Sequence, residues 1–322
     1  MLGDCKSPIT GQRVLITGSS GQDGFYLLDD LRSRGAHVMS IARSTTMLKG
    51  NLKPHVDITN ASMVNKLINT FKPNKIFHLA ASHYSSETSY SSITHHVSES
   101  ISVHVTATNN LLAAMTEHAP ESRLFFASSS RVFGEPTETP QNETTPRDPR
   151  CAYGISKLAG MGLCRLYREV HGIFASSGIL YHHDSAKRPG HFLIPRLVND
   201  ALKIKNGSLS RLQVGDPEAL IDIGYAPEFV DAMQRIIELP HSDDFVISTG
   251  SGVYVRDIIK CVFDVVGIPP DTPIDTNQKI LKHRPTNLSL IGNSSKLTAA
   301  TGWKPTAGIY DIIQSVFAEV SK

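Results

Sequence analysis

The chain lacks the features that mark membrane proteins, nucleic-acid-binding proteins and disulfide-rich proteins. Its 322 residues include four cysteines, and none of them forms the CxxC spacing of a zinc site or redox pair. The 32 basic and 30 acidic residues nearly cancel and form no basic stripe, so we expect no nucleic-acid partner. No apolar run approaches a membrane span, and the N-terminal residues carry an acid where a signal peptide needs an apolar stretch. We therefore expect a cytoplasmic protein without a membrane partner.

A glycine-rich turn near the N-terminus is the strongest functional signal. The segment 13–24, RVLITGSSGQDG, joins a short apolar strand to the start of a helix. Glycines in the pattern GxxGxxG let the backbone turn tightly and approach a pyrophosphate, while the amides at the helix start face that anion. The turn predicts a dinucleotide cofactor held by Gly18, Ser20, Gly21, Gln22, Asp23 and Gly24.

The end of the next predicted strand, 37–42, distinguishes NAD from NADP. An acidic residue here would bind the ribose hydroxyls of NAD, but the chain has Arg43 and Ser44. Arginine is suited to bidentate binding of a 2′-phosphate, so we expect NADP rather than NAD; a solvated arginine in a loop is the plain alternative. Asp57, further along, is a candidate partner of the adenine.

Strands and helices alternate through the first half of the chain. Helices are predicted over 22–34, 61–71, 97–117 and 153–171, with strands over 75–79, 123–127 and 173–180. This winding predicts an α/β fold, a Rossmann-type doubly wound parallel sheet. Beyond Tyr181 the alternation ends, and helices over 191–205, 253–266 and 309–320 predict a smaller, partly interrupted C-terminal domain. We expect residues 1–180, with a returning segment near 221–250, to bind the cofactor, and residues 181–322 mainly to bind the substrate.

Tyr153 and Lys157 form a YxxxK pair at the start of a predicted helix. Their spacing places both side chains on one face, where the ammonium favours the phenolate and lowers the pKa of the tyrosine toward the range of acid–base catalysis. An incidental pair on an amphipathic helix is the alternative. The serines at 128–130 end the preceding strand, however, and their hydroxyls can bind the same substrate oxygen. Cys151 is a weaker candidate for this pocket.

These motifs together resemble the extended short-chain dehydrogenase/reductases, in particular the enzymes that modify nucleotide sugars. TGSSGQDG is close to the glycine motif of GDP-mannose 4,6-dehydratases, HLAAS at 78–82 resembles the segment behind the cofactor, and 178–192 resembles another dehydratase stretch. The segment 283–305 is instead similar to the tail of GDP-4-keto-6-deoxymannose reductases. The resemblance covers nearly the whole chain. The cofactor contacts that it implies are Ile58, Leu79, Ala80, Ala81, Ser82, Tyr153, Lys157, Leu180 and His183.

Two positions depart from the dehydratase pattern. Dehydratases have a glutamate that takes the proton from C5, but alignment of SSSRVFG places Arg131 there, with Ser129 at a family threonine. An arginine cannot act as a base at neutral pH, so the elimination step needs another base, for which His83 and His182 are candidates. The second departure is Ile221, which stands where relatives have an arginine against the diphosphate.

The resemblance also implies substrate contacts. Arg256 and Arg284 match arginines that contact the nucleotide, and Arg284 is the stronger candidate for the phosphates. Arg188 and Arg196 are weaker candidates, with surface charge as the plain alternative. The full predicted set is His83, His182, Arg188, Leu193, Arg196, Arg256 and Arg284. No histidine spacing predicts a metal site.

The sequence predicts an NADP-dependent enzyme that moves a hydride at C4 of a GDP-linked sugar, as a 4-keto-6-deoxyhexose reductase or epimerase. Tyr153 would exchange the proton of the C4 hydroxyl, Lys157 would tune it and hold the nicotinamide ribose, and Ser129 or Ser130 would orient the oxygen. Two alternatives stay open: a GDP-mannose 4,6-dehydratase with a relocated base, and a noncatalytic nucleotide-binding relative. The resemblance implies a homodimer or a tetramer.

Overall fold

A computed structural model describes residues 9–82, 93–277 and 289–321 of the chain. The strands are β1 (Arg13–Thr17), β2 (His37–Ala42), β3 (Thr45–Leu48), β4 (Asn51–Lys53), β5 (Lys75–His78), β6 (Arg123–Ala127), β7 (Phe174–Leu180), β8 (His182–Asp184), β9 (Leu212–Val214), β10 (Leu220–Tyr225), β11 (Asp244–Ile247), β12 (Gly252–Tyr254) and β13 (Ile274–Thr276). The α-helices are α1 (Gln22–Ser33), α2 (Ala61–Phe71), α3 (Ile93–Ile101), α4 (Ala107–His118), α5 (Ala152–His171), α6 (Leu193–Lys205), α7 (Ala226–Ile237), α8 (Val255–Val266), α9 (Ser295–Thr301) and α10 (Ile309–Val320).

The central sheet has the strand order β11-β7-β6-β5-β1-β2-β3-β4. The strands from β11 to β2 pair in parallel, and the hairpin of β3 and β4 adds an antiparallel edge. The parallel strands are buried on both faces and are therefore continuous apolar runs, such as Val14–Ile16. The predicted Rossmann-type fold is confirmed. The hairpin was not predicted from the sequence.

Helices cover both faces of this sheet. On one face, α2, α4 and α5 contribute buried residues such as Val64, Leu111 and Met161. On the other face, α1 and α7 pack together with Trp303, whose indole nitrogen donates a hydrogen bond to the carbonyl of Glu228 at 3.0 Å. The core of the sheet therefore includes residues from the C-terminal part of the chain.

A separate apolar core forms beyond β7. It is built from α6, α8 and α10, with Leu197, Ile258 and Ile312 fully buried among them. A three-stranded sheet, β12-β10-β8, and a two-stranded sheet, β13-β9, accompany these helices. Within the described residues, no helix is long and apolar enough to cross a membrane.

One predicted helix is interrupted in the structure. The sequence predicts a continuous helix over 97–117, but α3 and α4 are separated by a π-helical turn at Ser102–Thr106. Such a turn inserts an extra residue into the helical repeat and redirects the side chains next to it. Here it carries His104, which is fully buried.

Candidate functional site

The glycine turn lies between β1 and α1, at the carboxyl edge of the parallel sheet. Gly18 has a φ of 77°, and a Cβ atom there would lie 2.6 Å from the amide nitrogen of Ala80. A Cβ on Gly24 would lie 2.5 Å from the carbonyl oxygen of Gly18. Both glycines are therefore required by packing. Gly21 differs, because a Cβ there would meet only that same oxygen, at 3.4 Å.

The space at Gly21 fits a cofactor diphosphate. Gly21 is the N-cap residue of α1 and supplies no side-chain cap to the amides that follow. A helix start whose first amides are uncapped and whose approach is free of side chains suits an anion. In addition, the buried oxygens Asp23 Oδ1 and Ser82 Oγ find no hydrogen-bond partner among the described residues. The residues present thus fit a dinucleotide at this edge.

The first turn of α1 is joined to β8 by side-chain hydrogen bonds. Gln22 Nε2 donates to the carbonyl of His183 at 2.7 Å, and the Ser185 hydroxyl donates to Gln22 Oε1 at 3.0 Å. His183 Nε2 lies 3.1 Å from Asp23 Oδ2, and its Nδ1 lies 2.7 Å from the carbonyl of Tyr181. Burial alone would lower the pKa of His183, but the Asp23 carboxylate raises it above its ordinary value. Both ring nitrogens face acceptors, so the imidazolium is the form that satisfies them.

Arg43 and Ser44 are exposed in the turn that follows β2. The carbonyl of Ile41 accepts hydrogen bonds from the amides of Gly18 at 2.8 Å and Ser19 at 3.2 Å, which holds the end of β2 against the glycine turn. Arg43 therefore lies at the end of β2 that is held against the glycine turn.

The remaining predicted cofactor residues lie along the same sheet edge or next to it. Leu79 follows β5, and its amide donates to the carbonyl of Thr17 at 3.1 Å. Leu180 ends β7 and is buried. Asp57 is exposed and accepts hydrogen bonds from the amide and hydroxyl of Thr59, while the carbonyl of Ile58 accepts one from Asn110 Nδ2 at 3.1 Å.

Tyr153 lies in the first turn of α5, opposite the end of β6. Burial raises the pKa of its phenol to about 12, although the Arg188 charge and a hydrogen bond with Ser129 both act to lower it. The Ser129 hydroxyl also accepts the amide of Arg131 at 3.2 Å. A Cβ on Gly154 would lie 2.5 Å from the Arg131 carbonyl, so glycine lets the helix start approach this turn closely. The predicted tyrosine and serine are thus brought together.

Lys157 is buried beneath Tyr153, as four-residue helical spacing requires. Its Nζ donates to the carbonyl of Ala127 at 2.7 Å and lies 5.0 Å from the centre of the Phe126 ring. Burial lowers the pKa of Lys157 to about 7. The sequence predicts that Lys157 lowers the pKa of Tyr153, and here the structure differs, because burial raises it and Arg188 is the cation that opposes this effect.

The Arg188 charge acts on both the Tyr153 phenol and the His182 imidazole. His182 is exposed, and the loss of part of its hydration to the surrounding protein, together with the Arg188 and Arg131 charges, lowers its pKa to about 4. Arg188 forms an ion pair with Asp184 at 3.2 Å, and its guanidinium carbon lies 3.8 Å from the centre of the Phe192 ring. The structure therefore brings Arg188, a weak candidate from the sequence, close enough for its charge to act on Tyr153.

Other predicted substrate residues lie on elements beyond β7. Leu193 begins α6, and Arg196 donates to the carbonyl of Gln213 at 2.9 Å. Arg256 forms an ion pair with Glu218 and lies 4.0 Å from the centre of the Tyr254 ring. Ile221 lies on β10, opposite Val253 of β12. The predictions for His83 and Arg284 fall outside the described residues.

Two residues of the site carry no signal in the sequence. His104 Nδ1 lies 2.8 Å from the Ser156 hydroxyl, and its ring stands edge-on to Tyr153 with the centres 5.2 Å apart. Ser156 occupies one of the unspecified positions of the YxxxK motif. His104 lies in a segment that the sequence predicts to be one regular helix. A π-helical turn leaves no pattern in a single sequence. Within the described part of the chain, no group of three His, Cys, Asp or Glu side chains could hold a metal ion.

Comparison with known proteins yields a consistent set of similarities. The family model described as GDP-mannose 4,6 dehydratase matches residues 15–316. The chain is 32% identical to GDP-mannose 4,6 dehydratase 2 of Caenorhabditis elegans, over 95% of this chain and 88% of that protein. It is 30% identical to GDP-mannose 4,6 dehydratase 2 of Arabidopsis thaliana, over 95% and 86%.

A solved structure shares the fold along almost the whole chain. The structure of RMD from Pseudomonas aeruginosa complexed with NADPH superposes with a TM-score of 0.80 at 23% identity, covering 96% of this chain and 98% of that one. The matches together confirm the predicted family resemblance and enzyme class. They favour the dehydratase alternative over the reductase or epimerase that the sequence predicted first.

Proposed function

The chain belongs to the GDP-mannose 4,6-dehydratase family of extended short-chain dehydrogenase/reductases, and we propose that it is an NADP-dependent enzyme that oxidises a GDP-linked hexose at C4 and eliminates water across C5 and C6. The observation that supports this most directly is the family match over residues 15–316, within which Tyr153, Ser129 and Lys157 lie close together.

In this proposal Tyr153 accepts the proton of the C4 hydroxyl. Its pKa of about 12 means that the phenol needs cations and donors to ionise, and Arg188 and Ser129 are the groups that lower it. NADP, when bound, would accept the hydride from C4 and, as NADPH, return it to C6 of the 5,6-alkene that the elimination leaves, with a proton added at C5. Lys157 lies behind the phenol and contacts the end of β6 through Ala127.

The elimination needs a base that takes the C5 proton. Arg131 occupies the position of the dehydratase glutamate but is protonated at neutral pH. His182 is the candidate base, because its pKa of about 4 keeps the imidazole neutral and able to accept a proton, although it is then a weak base. The ordinary pKa of a glutamate is about 4.3, so His182 would be a base of similar strength to the glutamate that it replaces.

The test is mass spectrometry of the products formed from GDP-mannose by protein that has been shown to bind NADP. We expect a 4-keto sugar lighter by one water, with no net change in NADPH. Tyr153→Phe should reduce turnover by about 10² to 10⁴-fold, the range of general acid–base catalysis. Tyr167→Phe, on the same helix with its hydroxyl bonded to Asn109, is the matched control. Cofactor-binding protein that leaves GDP-mannose unchanged would exclude the dehydratase.

Arg131 favours a second candidate, which needs no C5 base. In this case the enzyme reduces the C4 ketone of a 4-keto-6-deoxy sugar, using the same Tyr153 and Lys157. GDP-4-keto-6-deoxymannose should then be converted at the expense of NADPH, while GDP-mannose is not. If cofactor-loaded protein converts neither sugar, the remaining hypothesis is a noncatalytic nucleotide-binding relative.

A further inference from the structure

The site contains a buried histidine to which the proposed chemistry gives no role. His104 lies in the π-helical turn Ser102–Thr106, between α3 and α4, and its side chain is fully buried. Both ring nitrogens contact polar groups of segments on which the predicted active site depends. Nε2 faces Ser82, at the end of the cofactor segment after β5, and Nδ1 faces Ser156, inside the YxxxK motif.

The hydrogen-bond directions determine the tautomer of His104. The backbone amide of Ser82 donates to Nε2 at 3.1 Å, so Nε2 carries no proton. A neutral imidazole then carries its proton on Nδ1. Nδ1–H donates to the Ser156 hydroxyl at 2.8 Å, and that hydroxyl in turn donates to the carbonyl of Tyr153 at 3.0 Å. A single chain of hydrogen bonds therefore runs from the cofactor segment to the backbone of the predicted catalytic tyrosine.

The ring of His104 also contacts the ring of Tyr153 directly. The two ring centres are 5.2 Å apart with planes at 89°, an edge-to-face contact that restricts rotation of the phenol. The turn itself is held in place, since the Thr108 hydroxyl donates to the carbonyl of His104 at 2.7 Å. On the α5 side, Gly160 allows close approach, because a Cβ there would lie 2.8 Å from that carbonyl.

We propose that His104 is a positioning residue, which holds the Tyr153 ring and the 79–82 cofactor segment in one fixed geometry through its Nδ1–H tautomer. The proposal rests on the proposed role of Tyr153. A misplacement of about 1 Å at a reacting group can reduce a rate by on the order of 100-fold, so a residue of this kind acts on turnover more than on substrate affinity.

Three substitutions in the full chain test this role. His104→Phe keeps a planar ring beside Tyr153 but removes both hydrogen bonds, and we expect kcat to fall by about 10- to 100-fold with KM changed by no more than about twofold. His104→Asn keeps a donor and an acceptor, and we expect it to recover most of that loss. Ser156→Ala interrupts the chain without changing the histidine and should also lower kcat.

The control is His118→Phe, at the end of α4, where the ring nitrogen bonds Asn65 at 2.9 Å. Its kcat should equal that of the wild type. If His104 were only structural, His104→Phe and the control would both lower the melting temperature and leave kcat unchanged. That result would overturn the proposal.

The tautomer provides a readout that does not require turnover. Nitrogen-15 NMR of the full-length protein should show His104 protonated on Nδ1 and bare on Nε2 near neutral pH, and Ser156→Ala should shift the Nδ1 signal. Protonation on Nε2 would refute the inference even in an active enzyme. If wild-type protein turns over neither sugar but shows the Nδ1–H tautomer, the proposed function fails and the hydrogen-bond chain stands.

Discussion

Lys157 Nζ lies 5.6 Å from the centre of the Tyr153 ring, close enough to influence the phenol but not to bond it. The lysine is fully buried, and its hydrogen bond to the Ala127 carbonyl does not compensate for the loss of water, so its pKa falls to about 7. The buried Lys157 ammonium lowers the stability of the folded protein, because a charge is removed from water at a position where an apolar side chain would be more stable.

This burial predicts that Lys157→Met stabilises the protein in a pH-dependent manner. The unfolded lysine titrates near 10.5 and the native one near 7, so below pH 7 the full cost of the buried ammonium opposes folding, and between pH 7 and 10.5 that cost disappears. Denaturant unfolding should give a gain in the free energy of unfolding on the order of a few kcal/mol at pH 6.5, which shrinks toward pH 10. Turnover should be lost.

The exposed Lys72 is the control for this prediction. Its Nζ also donates to a backbone carbonyl, that of His118, at 2.7 Å. Lys72→Met should change stability equally at both pH values. A stability difference for Lys157→Met that is independent of pH would contradict the assignment of burial as the cause.

The glycine turn predicts opposite consequences for two substitutions. Gly24→Ala places a Cβ 2.5 Å from the carbonyl oxygen of Gly18, so we expect a loss of folding stability. Gly21→Ala meets its nearest neighbour at 3.4 Å and should fold normally, but its methyl group occupies the diphosphate approach. Thermal unfolding without cofactor and fluorescence titration with NADP separate the two effects. Unchanged NADP affinity in folded Gly21→Ala would show that the diphosphate binds elsewhere.

Arg43 predicts the choice of cofactor. Removal of a charged hydrogen bond typically costs about 1.5–3 kcal/mol, so Arg43→Ala should weaken NADP binding by roughly 10- to 100-fold and leave NAD binding unchanged. Arg32, exposed in the last turn of α1, provides a control of equal charge. Equal losses for NADP and NAD in calorimetric titrations would mean that Arg43 does not contact the 2′-phosphate.

The ion pair of His183 and Asp23 predicts a pH-dependent contribution to stability. The folded pKa of His183 lies above its unfolded value near 6.5, so the stabilisation is fully present below pH 6.5 and is lost as the pH rises through the folded value. Asp23→Asn should lower the free energy of unfolding by about 1–3 kcal/mol at pH 6 and much less at pH 9. Asp30→Asn, which breaks an ion pair with Arg34 on the same helix, should show no such dependence over that range. The same loss at both pH values would exclude the imidazolium.

The sequence was sufficient to predict the elements whose residues repeat with a regular period. The strand His37–Ala42 and the helices Ala61–Phe71 and Ile309–Val320 have the predicted bounds, because the strand is a continuous buried run and each helix has one buried face with a clear periodicity. The glycine turn and the Tyr153–Lys157 pair were also visible, since their chemistry depends on local spacing.

The features that the sequence did not predict depend on contacts between distant segments. The sequence offers Arg188 only as a weak candidate, because its charge acts on the phenol through the placement of the segment that follows β7, which no local pattern reveals. The pKa of Tyr153 has the same origin, because the burial that raises it is set by the surrounding fold. The β3–β4 hairpin was missed because its short strands are partly exposed and polar.

Trp303 determines how late in synthesis of the chain the core beneath β1 can form. It fills the layer beneath β1 and α1 together with Leu297 and Phe229, although nearly three hundred residues separate it from the glycine turn. A ribosome therefore releases most of the polypeptide before that layer can close, and earlier intermediates leave apolar surface around Ile16 and Leu27 open to water. Premature termination near the C-terminus would therefore prevent the apolar layer beneath β1 and α1 from forming, although those elements lie near the N-terminus.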